Sequence, residues 1–191
     1  MTLAKRRRFR KRTGVQRAIL EVATRMNQRW SMDFVADNLS DGRRLKVLTI
    51  VDDYTRESPG MEVDTSINGM RVTHVLDRLA VYRGYPEMLV TDNGPEFAGK
   101  ALDEWAYRNN VRLHFIEPGK PIENCYIESF NGKFRDECLN EHWFMNMQHA
   151  REVIETWRQN YNEVRPHRSL GQLTPAEFSR NQRPEIVPNS T

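Results

Sequence analysis

The chain has 191 residues, of which 38% are hydrophobic and 29% charged, and its net charge is +3. Folding a chain of this length buries roughly 70% of its unfolded surface, so the composition indicates a globular protein and excludes a disordered one. The longest apolar run, residues 47–51, is far shorter than the roughly 20 residues that span a bilayer, so we expect no membrane helix.

A basic arm opens the chain. Its first twelve residues contain seven Lys or Arg and no acid, and the rest of the chain is net −4. Such an arm attracts phosphates with little sequence selectivity, although a solvated terminus or a nuclear localisation run has the same composition. Apolar residues at 15, 19, 22 and 26 then predict a short helix or linker, so we interpret residues 1–29 as an arm and linker helix.

Three strands are predicted between residues 30 and 64. The segment WSMDFVAD alternates Met32 and Phe34 with Asp33 and Val35, which is the period-two pattern of a strand. The Asp-Gly pair in NLSDGRR predicts a hairpin turn into RLKVLTIVDDYT, and SPGMEVD follows as a third short strand. Asp33 therefore lies in mid-strand, where an acid is costly unless it is paired or bound to a metal.

The hydrophobic period changes to that of helices at residue 68. Apolar residues recur at three and four between Asn68 and Tyr82, which predicts an amphipathic helix that stops at Gly84. EMLVTD is then a fourth strand, ALDEWAYRNN a second helix and VRLHFIEP a fifth strand. This order predicts an α/β fold, a mixed five-stranded sheet flanked by crossover helices, and the residues after Ile122 are predicted to be a helical extension.

The segment ENCYIESFNGKFRDECLN is predicted to be a helix with two distinct faces. Its apolar positions recur at three and four and face the core: Ile127, Phe130, Phe134 and Cys138. A polar stripe runs along another face: Asn124, Glu128, Asn131 and Arg135. Exposed helix surfaces commonly have such stripes, so periodicity alone assigns this one no function.

Three acidic residues lie at positions where folds of the predicted topology commonly bind ligands. Asp33 lies in the first strand, Asp92 ends the fourth strand in VTDNGPEF, and Glu128 lies on the polar stripe. Converging carboxylates repel one another unless cations neutralise them, and oxygen ligands without His or Cys select Mg²⁺ or Mn²⁺. Two such ions would activate the attacking oxygen and stabilise the leaving oxygen in phosphodiester displacement.

Other acidic residues compete with this set. Asp52 and Asp53 leave the second strand, where aspartates commonly serve turns and caps. Asp37 and Asp41 belong to the hairpin and are expected to be solvated. Glu96 is near the site, but its side chain is expected to point outward from its turn. Its expected role is DNA contact or helix capping at most.

Three motifs together resemble the D,D(35)E catalytic core of retroviral-integrase-like transposases. They are WSMDFVAD, VTDNGPEF and ENCYIESFNGKFRDECLN, with 35 residues between Asp92 and Glu128. The chain is most similar to the insertion-sequence-three family of bacterial transposases, through the further strings VDDYTRE, YNEVRPH and LTPAEF. The resemblance covers about residues 28–180.

The resemblance implies a ribonuclease-H-like fold and a polynucleotidyl transferase that depends on two Mg²⁺ or Mn²⁺ ions. Such an enzyme cleaves DNA at transposon ends and joins the freed 3'-hydroxyl to target DNA without a covalent protein–DNA intermediate. Asp33, Asp92 and Glu128 would be the catalytic residues and the metal ligands. The residues expected to contact DNA are Asn93, Asn131, Lys133 and Arg135.

The expected organisation is an arm at residues 1–29, an integrase-like catalytic core at 30–145 and a C-terminal helix and tail at 146–191. Relatives carry a helix-turn-helix region before the core, which is expected to be missing before Trp30. A truncated DNA-binding remnant without transposition is therefore one alternative, and a structure-specific nuclease of the same fold is another. At the C-terminus, packing is favoured over a DNA-facing strip for Trp157, Tyr161, Arg165 and His167.

The two cysteines, Cys125 and Cys138, have neither a CxxC motif nor a nearby pair of histidines, which argues against a zinc site or a disulfide framework. We therefore expect a reduced intracellular protein. With the resemblance, this predicts a cytoplasmic bacterial protein that associates with the nucleoid when bound to DNA, acts on DNA as a homo-oligomer and does not interact with membranes.

Overall fold

A computed structural model of the chain describes residues 22–116 and 125–182. The basic arm and most of the predicted linker helix lie outside these residues. The described part of the linker, residues 22–29, is not helical. The backbone N–H of Asn27 donates to the Asp52 carboxylate at 2.8 Å, and Asn27 has a φ of +60°. This positive φ is not compatible with a right-handed helix at this position.

The five predicted strands are present as β1 Trp30–Asn38, β2 Arg44–Asp52, β3 Gly60–Asp64, β4 Met88–Thr91 and β5 Arg112–Phe115. The helices are α1 Gly69–Arg83, α2 Lys100–Arg108, α3 Cys125–Phe134, α4 Met147–Glu163 and α5 Pro175–Asn181. A π-helical turn, Arg135–Leu139, continues α3, and a 3-10 turn, Arg168–Leu170, precedes α5.

The strand order is β3-β2-β1-β4-β5. The first three strands are antiparallel neighbours, whereas β4 pairs in parallel with β1 and with β5. The mixed five-stranded sheet predicted from the sequence is therefore confirmed. The Asp-Gly hairpin turn is confirmed as well, because Gly42 adopts a φ of +82°, a conformation that residues with a side chain rarely adopt.

Alternating side chains of β1 divide the core into two layers. Trp30 and Met32 face α1 and α2, whereas Val35 faces α3 and α4. Ile154 of α4 belongs to the same buried cluster as Val35, so the C-terminal helix packs on the sheet beside α3. No helix in the described ranges has the length and apolar character needed to cross a bilayer.

The aromatic residues of α4 are packing residues, as favoured from the sequence. The ring centroids of Trp157 and Tyr161 lie 5.3 and 4.8 Å from that of Phe130. Tyr161 also meets the ring of His167 edge-on at 4.8 Å, and both residues are buried. These contacts fix α3 against α4, and they fix the side chains that α3 presents at the sheet.

Candidate functional site

Asp33 is the fixed member of the candidate site. It lies in β1 opposite Thr49, and its half-buried carboxylate accepts hydrogen bonds from the Phe34 N–H at 2.7 Å and from Asn131 Nδ2 at 2.8 Å. Burial raises the pKa of Asp33, and the negative charges of Asp92 and Glu128 raise it further against these hydrogen bonds. The three carboxylates therefore share one electrostatic environment.

Asp92 is brought beside Asp33 by parallel strand pairing. Ser31 of β1 pairs in parallel with Val90 of β4. Asp33 and Asp92 each lie two residues after this pair, so the chain places them side by side. Asp92 is exposed, directly after β4 ends at Thr91, and its Oδ1 accepts the Gly94 N–H at 2.9 Å. The adjacency of the two aspartates is thus a consequence of the sheet topology.

The close approach of Asp92 explains the glycine in the DNG motif. A Cβ atom at Gly94 would lie 2.9 Å from Asp92 Oδ1, which is closer than real Cβ atoms approach their neighbours. Gly94 therefore leaves room for the carboxylate while its N–H holds it in place. The next side chain, Asn93, donates to the carbonyl oxygen of Ile116 at 2.8 Å and so ties the loop to the end of β5.

Glu128 is presented by the first turn of α3. The buried side chains Ile127 and Phe130 orient this helix on the sheet and leave Glu128 exposed on its flank. Asn131 follows one turn later on the same flank, which explains how its amide reaches Asp33. Asn131 Oδ1 is buried and has no hydrogen-bond partner among the described residues.

The donor set fits a hard divalent cation. It consists of three carboxylates and an unpartnered amide oxygen, which are ligands that Mg²⁺ and Mn²⁺ prefer. Within residues 22–116 and 125–182, however, no three His, Cys, Asp or Glu side chains are arranged as a ready-made metal site. Asp92 and Glu128 are both exposed, so their side chains are free to change rotamer.

The competing pair Asp52 and Asp53 is structural. The Asp52 carboxylate accepts backbone N–H groups from Asn27, Tyr54 and Thr55 at 2.8 to 3.0 Å. Asp53 is buried and forms an ion pair with Arg29, and burial raises its pKa to about 6 although Arg29 opposes the shift. The Asp52 carboxylate therefore serves the turn, and Asp53 Oδ2 is occupied by Arg29 and Ser31.

Glu96 and Asp41 are paired as well, whereas Asp37 is half-buried and its carboxylate accepts the Asn38 N–H at 2.8 Å. Glu96 forms an ion pair with Lys46, which also lies 4.0 Å from the Phe34 ring centroid. In the hairpin turn, Asp41 forms an exposed ion pair with Arg43. The ion pair with Lys46 is thus the role that the structure gives Glu96, and sequence reasoning did not anticipate it.

The residues expected to contact DNA occupy different surroundings. Arg135 is exposed at the start of the π-helical turn, on the flank of α3 that carries Glu128. Asn131 instead holds Asp33, and the sequence signal for this role is its spacing of three from Glu128. Lys133 projects from the other flank of α3, with its Nζ 5.9 Å from the Tyr161 ring centroid, so it shares the helix of Glu128 but lies on a different side of it.

Comparison with protein families identifies an integrase core domain. One integrase core domain family model matches residues 23–121, and a second matches residues 109–175. A protein of insertion element IS407 from Burkholderia multivorans is 57% identical over 179 residues, and one of IS476 from Xanthomonas euvesicatoria is 48% identical over 190 residues. These matches cover 93% and 100% of the chain but 65% and 55% of the relatives, so the chain spans less than two thirds of their length.

Solved structures similar to this chain include retroviral integrases. The simian T-cell lymphotropic virus intasome in complex with a PP2A regulatory subunit matches 94% of the chain and 63% of its own, with a TM-score of 0.74 and 15% identity. The HTLV-2 integrase catalytic core in complex with magnesium matches 82% of the chain and 97% of its own, with a TM-score of 0.61 and 14% identity. The ribonuclease-H-like fold expected from the sequence is therefore confirmed.

Proposed function

The chain belongs to the integrase core family, among the transposase-like proteins of bacterial insertion sequences, and from this premise we propose that it cleaves DNA at transposon ends and joins the 3'-hydroxyl to target DNA. We propose Asp33, Asp92 and Glu128 as ligands of two Mg²⁺ or Mn²⁺ ions. The observation that carries the proposal is that β4 brings Asp92 beside Asp33 and that the charges of Asp92 and Glu128 both act on the half-buried Asp33 carboxylate.

The three carboxylates have different roles in the proposed site. Asp33 is kept in one rotamer by two hydrogen bonds, so it provides the fixed reference for the other two carboxylates. Asp92 and Glu128 are exposed and close on the site when a cation offsets their repulsion. When bound, the divalent ions would supply activation of the attacking oxygen and stabilisation of the leaving oxygen.

The proposed reaction proceeds in two balanced displacements. In cleavage, a water oxygen bonds to phosphorus at the transposon end, the bond to the 3'-oxygen breaks, and that oxygen takes up a proton. In strand transfer, this 3'-oxygen bonds to a target phosphorus and a target 3'-oxygen leaves with the proton. Each step exchanges one phosphorus–oxygen bond for another, so strand transfer needs no external energy source and no covalent enzyme intermediate.

We assign this chemistry to residues 30–145, with residues 1–29 as a DNA-attracting arm and residues 146–191 as the C-terminal helix and tail. The proposed setting is the bacterial cytoplasm, with the protein on the nucleoid as a homo-oligomer bound to DNA. We retain Asn93, Lys133 and Arg135 as proposed DNA contacts, and Arg135 has the exposure that such a contact needs.

The test is strand cleavage by the purified chain on DNA that carries the ends of its element. We expect nicking with Mg²⁺ or Mn²⁺, none with chelator, and strand-transfer products when a 3'-hydroxyl donor is supplied. Nicking without strand transfer would identify a structure-specific nuclease. Salt-dependent binding with no cleavage under any divalent ion would identify a DNA-binding remnant and contradict the proposal.

Asn131→Ala should weaken divalent-ion activation more than it weakens the fold. Loss of the 2.8 Å hydrogen bond frees the Asp33 carboxylate, and removing a partner that orients a metal ligand typically costs about 10- to 100-fold in metal affinity or activity. The measurement is the Mg²⁺ concentration for half-maximal nicking. Asn140→Ala, which removes an exposed amide just beyond α3, is the matched control and should leave that concentration unchanged.

Gly94→Ala should lower nicking while leaving the thermal unfolding midpoint almost unchanged. The added methyl group displaces the flexible Asp92 carboxylate from its 2.9 Å position, and a misplacement of about 1 Å at a reacting centre can cost about 100-fold in rate. Gly132→Ala adds the same methyl group where no atom lies within 4 Å and serves as the control. Equal nicking rates for the two variants would count against a role for Asp92.

A further inference from the structure

A second cluster of polar side chains lies on the flank of α3 opposite Glu128. We define the basic flank as five residues: Arg56, Tyr126, Lys133, Arg165 and His167. An α-helix turns about 100° per residue, so Lys133 and Tyr126 lie on one side of the buried stripe and Glu128 and Asn131 lie on the other. The basic flank is therefore separate from the carboxylates but is carried by the same helix.

The members of the basic flank are mutually close. The Arg56 guanidinium carbon stacks 3.6 Å from the Tyr126 ring centroid. Burial lowers the pKa of Lys133, and the positive charges of Arg165 and Arg56 lower it further. Three cations thus act on one another across a half-buried surface instead of extending separately into solvent.

Carboxylates balance only part of the positive charge of this group. Arg165 forms an ion pair with Glu137, whose charge also raises the pKa of Lys133. For Arg56 and Lys133, the described part of the chain provides no carboxylate within salt-bridge distance, and Arg56 donates instead to the Asp53 carbonyl oxygen. The Arg56 charge acts against that of Lys133, and an anion bound between them would offset this repulsion.

Two further features mark the basic flank as a site. His167 is only 5% exposed, and among the described residues its Nε2 has no hydrogen-bond partner; burial lowers its pKa, and the positive charges of Lys133 and Arg165 lower it further. Arg56 has a φ of +61°, a left-handed conformation that is unfavourable for a residue with a side chain. The turn therefore keeps an arginine where a glycine would fit the backbone better.

We propose that the basic flank binds a phosphodiester of the DNA backbone, on the side of α3 opposite the carboxylates. This inference rests on the proposed function, because the ligand is DNA. The body of an α-helix is about 10 Å wide, which corresponds to about three nucleotides of one strand at 3.4 Å each. A strand that crosses α3 could therefore have its scissile phosphate at the carboxylates and a nearby phosphate at the basic flank.

The surface between the two flanks is suited to such a crossing. Cys125, Ser129 and Gly132 are the exposed residues of α3 that lie between Glu128 and Lys133 around the helix. All three are small, and a Cβ added at Gly132 would meet no atom within 4 Å. The backbone of a DNA strand can approach the helix closely at this point, and no large side chain of α3 blocks its path.

The test is binding of a fluorescent duplex by the full chain, measured by anisotropy in chelator over a series of salt concentrations. We expect Arg56→Gln combined with Lys133→Gln to weaken binding about tenfold or more and to lower the slope of log affinity against log salt by about 2. The control is Arg108→Gln together with Lys100→Gln, which removes the same charge from exposed positions of α2 on the other face of the sheet.

A second pair of variants tests the crossing without touching the cations. Gly132→Glu places a negative charge on the proposed path and should weaken binding at least as much as the double variant, whereas Tyr107→Glu, which adds the same charge at an exposed position of α2, should bind like the wild type. If the double variant and Gly132→Glu both bound with the wild-type affinity and salt slope, the proposal that the basic flank binds DNA would be wrong. The proposed function would be unaffected by that result. Failure of the unmodified chain to bind any duplex would overturn the proposed function as well.

Discussion

Replacing Asp92 by Asn should abolish Mg²⁺-dependent nicking by at least about 1000-fold, equivalent to about 4 kcal/mol of activation free energy, without changing the fold. Asp92 is exposed, and within residues 22–116 and 125–182 its carboxylate accepts only the Gly94 N–H, which an Asn side-chain oxygen can also do. The substitution therefore removes a charge from the site and little else. The same reasoning applies to Glu128→Gln on α3.

The measurement is a time course of nicking with Mg²⁺, together with the circular dichroism and thermal unfolding of each variant. Asp103→Asn is the matched control, because Asp103 is an exposed aspartate of α2 on the other face of the sheet. It should nick at the wild-type rate. Nicking by Asp92→Asn combined with Glu128→Gln at that same rate would refute the assignment of the carboxylates.

Phe130→Ala should lower the free energy of unfolding by about 3 to 5 kcal/mol, the largest stability effect that we predict for α3. The ring is 1% exposed and packs edge-on against Trp157 and Tyr161, so its removal leaves a cavity between α3 and α4. Because α3 also carries Glu128 and Asn131, nicking should fall with stability.

Urea denaturation provides this measurement, and Phe130→Leu is the control because it keeps most of the apolar volume. We expect the leucine variant to lose less than half as much stability as the alanine variant. If Phe130→Ala lowered the free energy of unfolding by less than about 1 kcal/mol, the effect would be that of a surface substitution. That result would show that α3 and α4 are not packed as described.

Much of the fold was predictable because local patterns and tertiary packing agree. The helix expected from Asn68 begins at Gly69, since the Asn68 side chain accepts the Arg71 N–H and caps it. Alternation in WSMDFVAD also placed Asp33 and Val35 on one face of β1. In these segments the residues that set the secondary structure are near neighbours in sequence, so the sequence is sufficient.

Contacts between distant segments could not be predicted in the same way. Periodicity placed Asn131 on the same helix face as Glu128. Its hydrogen bond to Asp33, however, joins residues 98 positions apart and depends on how α3 packs on β1. The burial of Asp53 with Arg29 depends likewise on tertiary packing. Lys133 shares the helix of Glu128, as the sequence indicates, but its angular position around that helix places it on the opposite flank.

The central claim is that Asp33, Asp92 and Glu128 bind divalent ions together. The most direct measurement is anomalous diffraction from a crystal of the chain soaked in Mn²⁺. We predict a peak within about 2.3 Å of carboxylate oxygens of Asp33 and Asp92, with Glu128 turned toward it. The absence of any peak beside these side chains, or a peak only at Asp52 and Asp53, would contradict the claim.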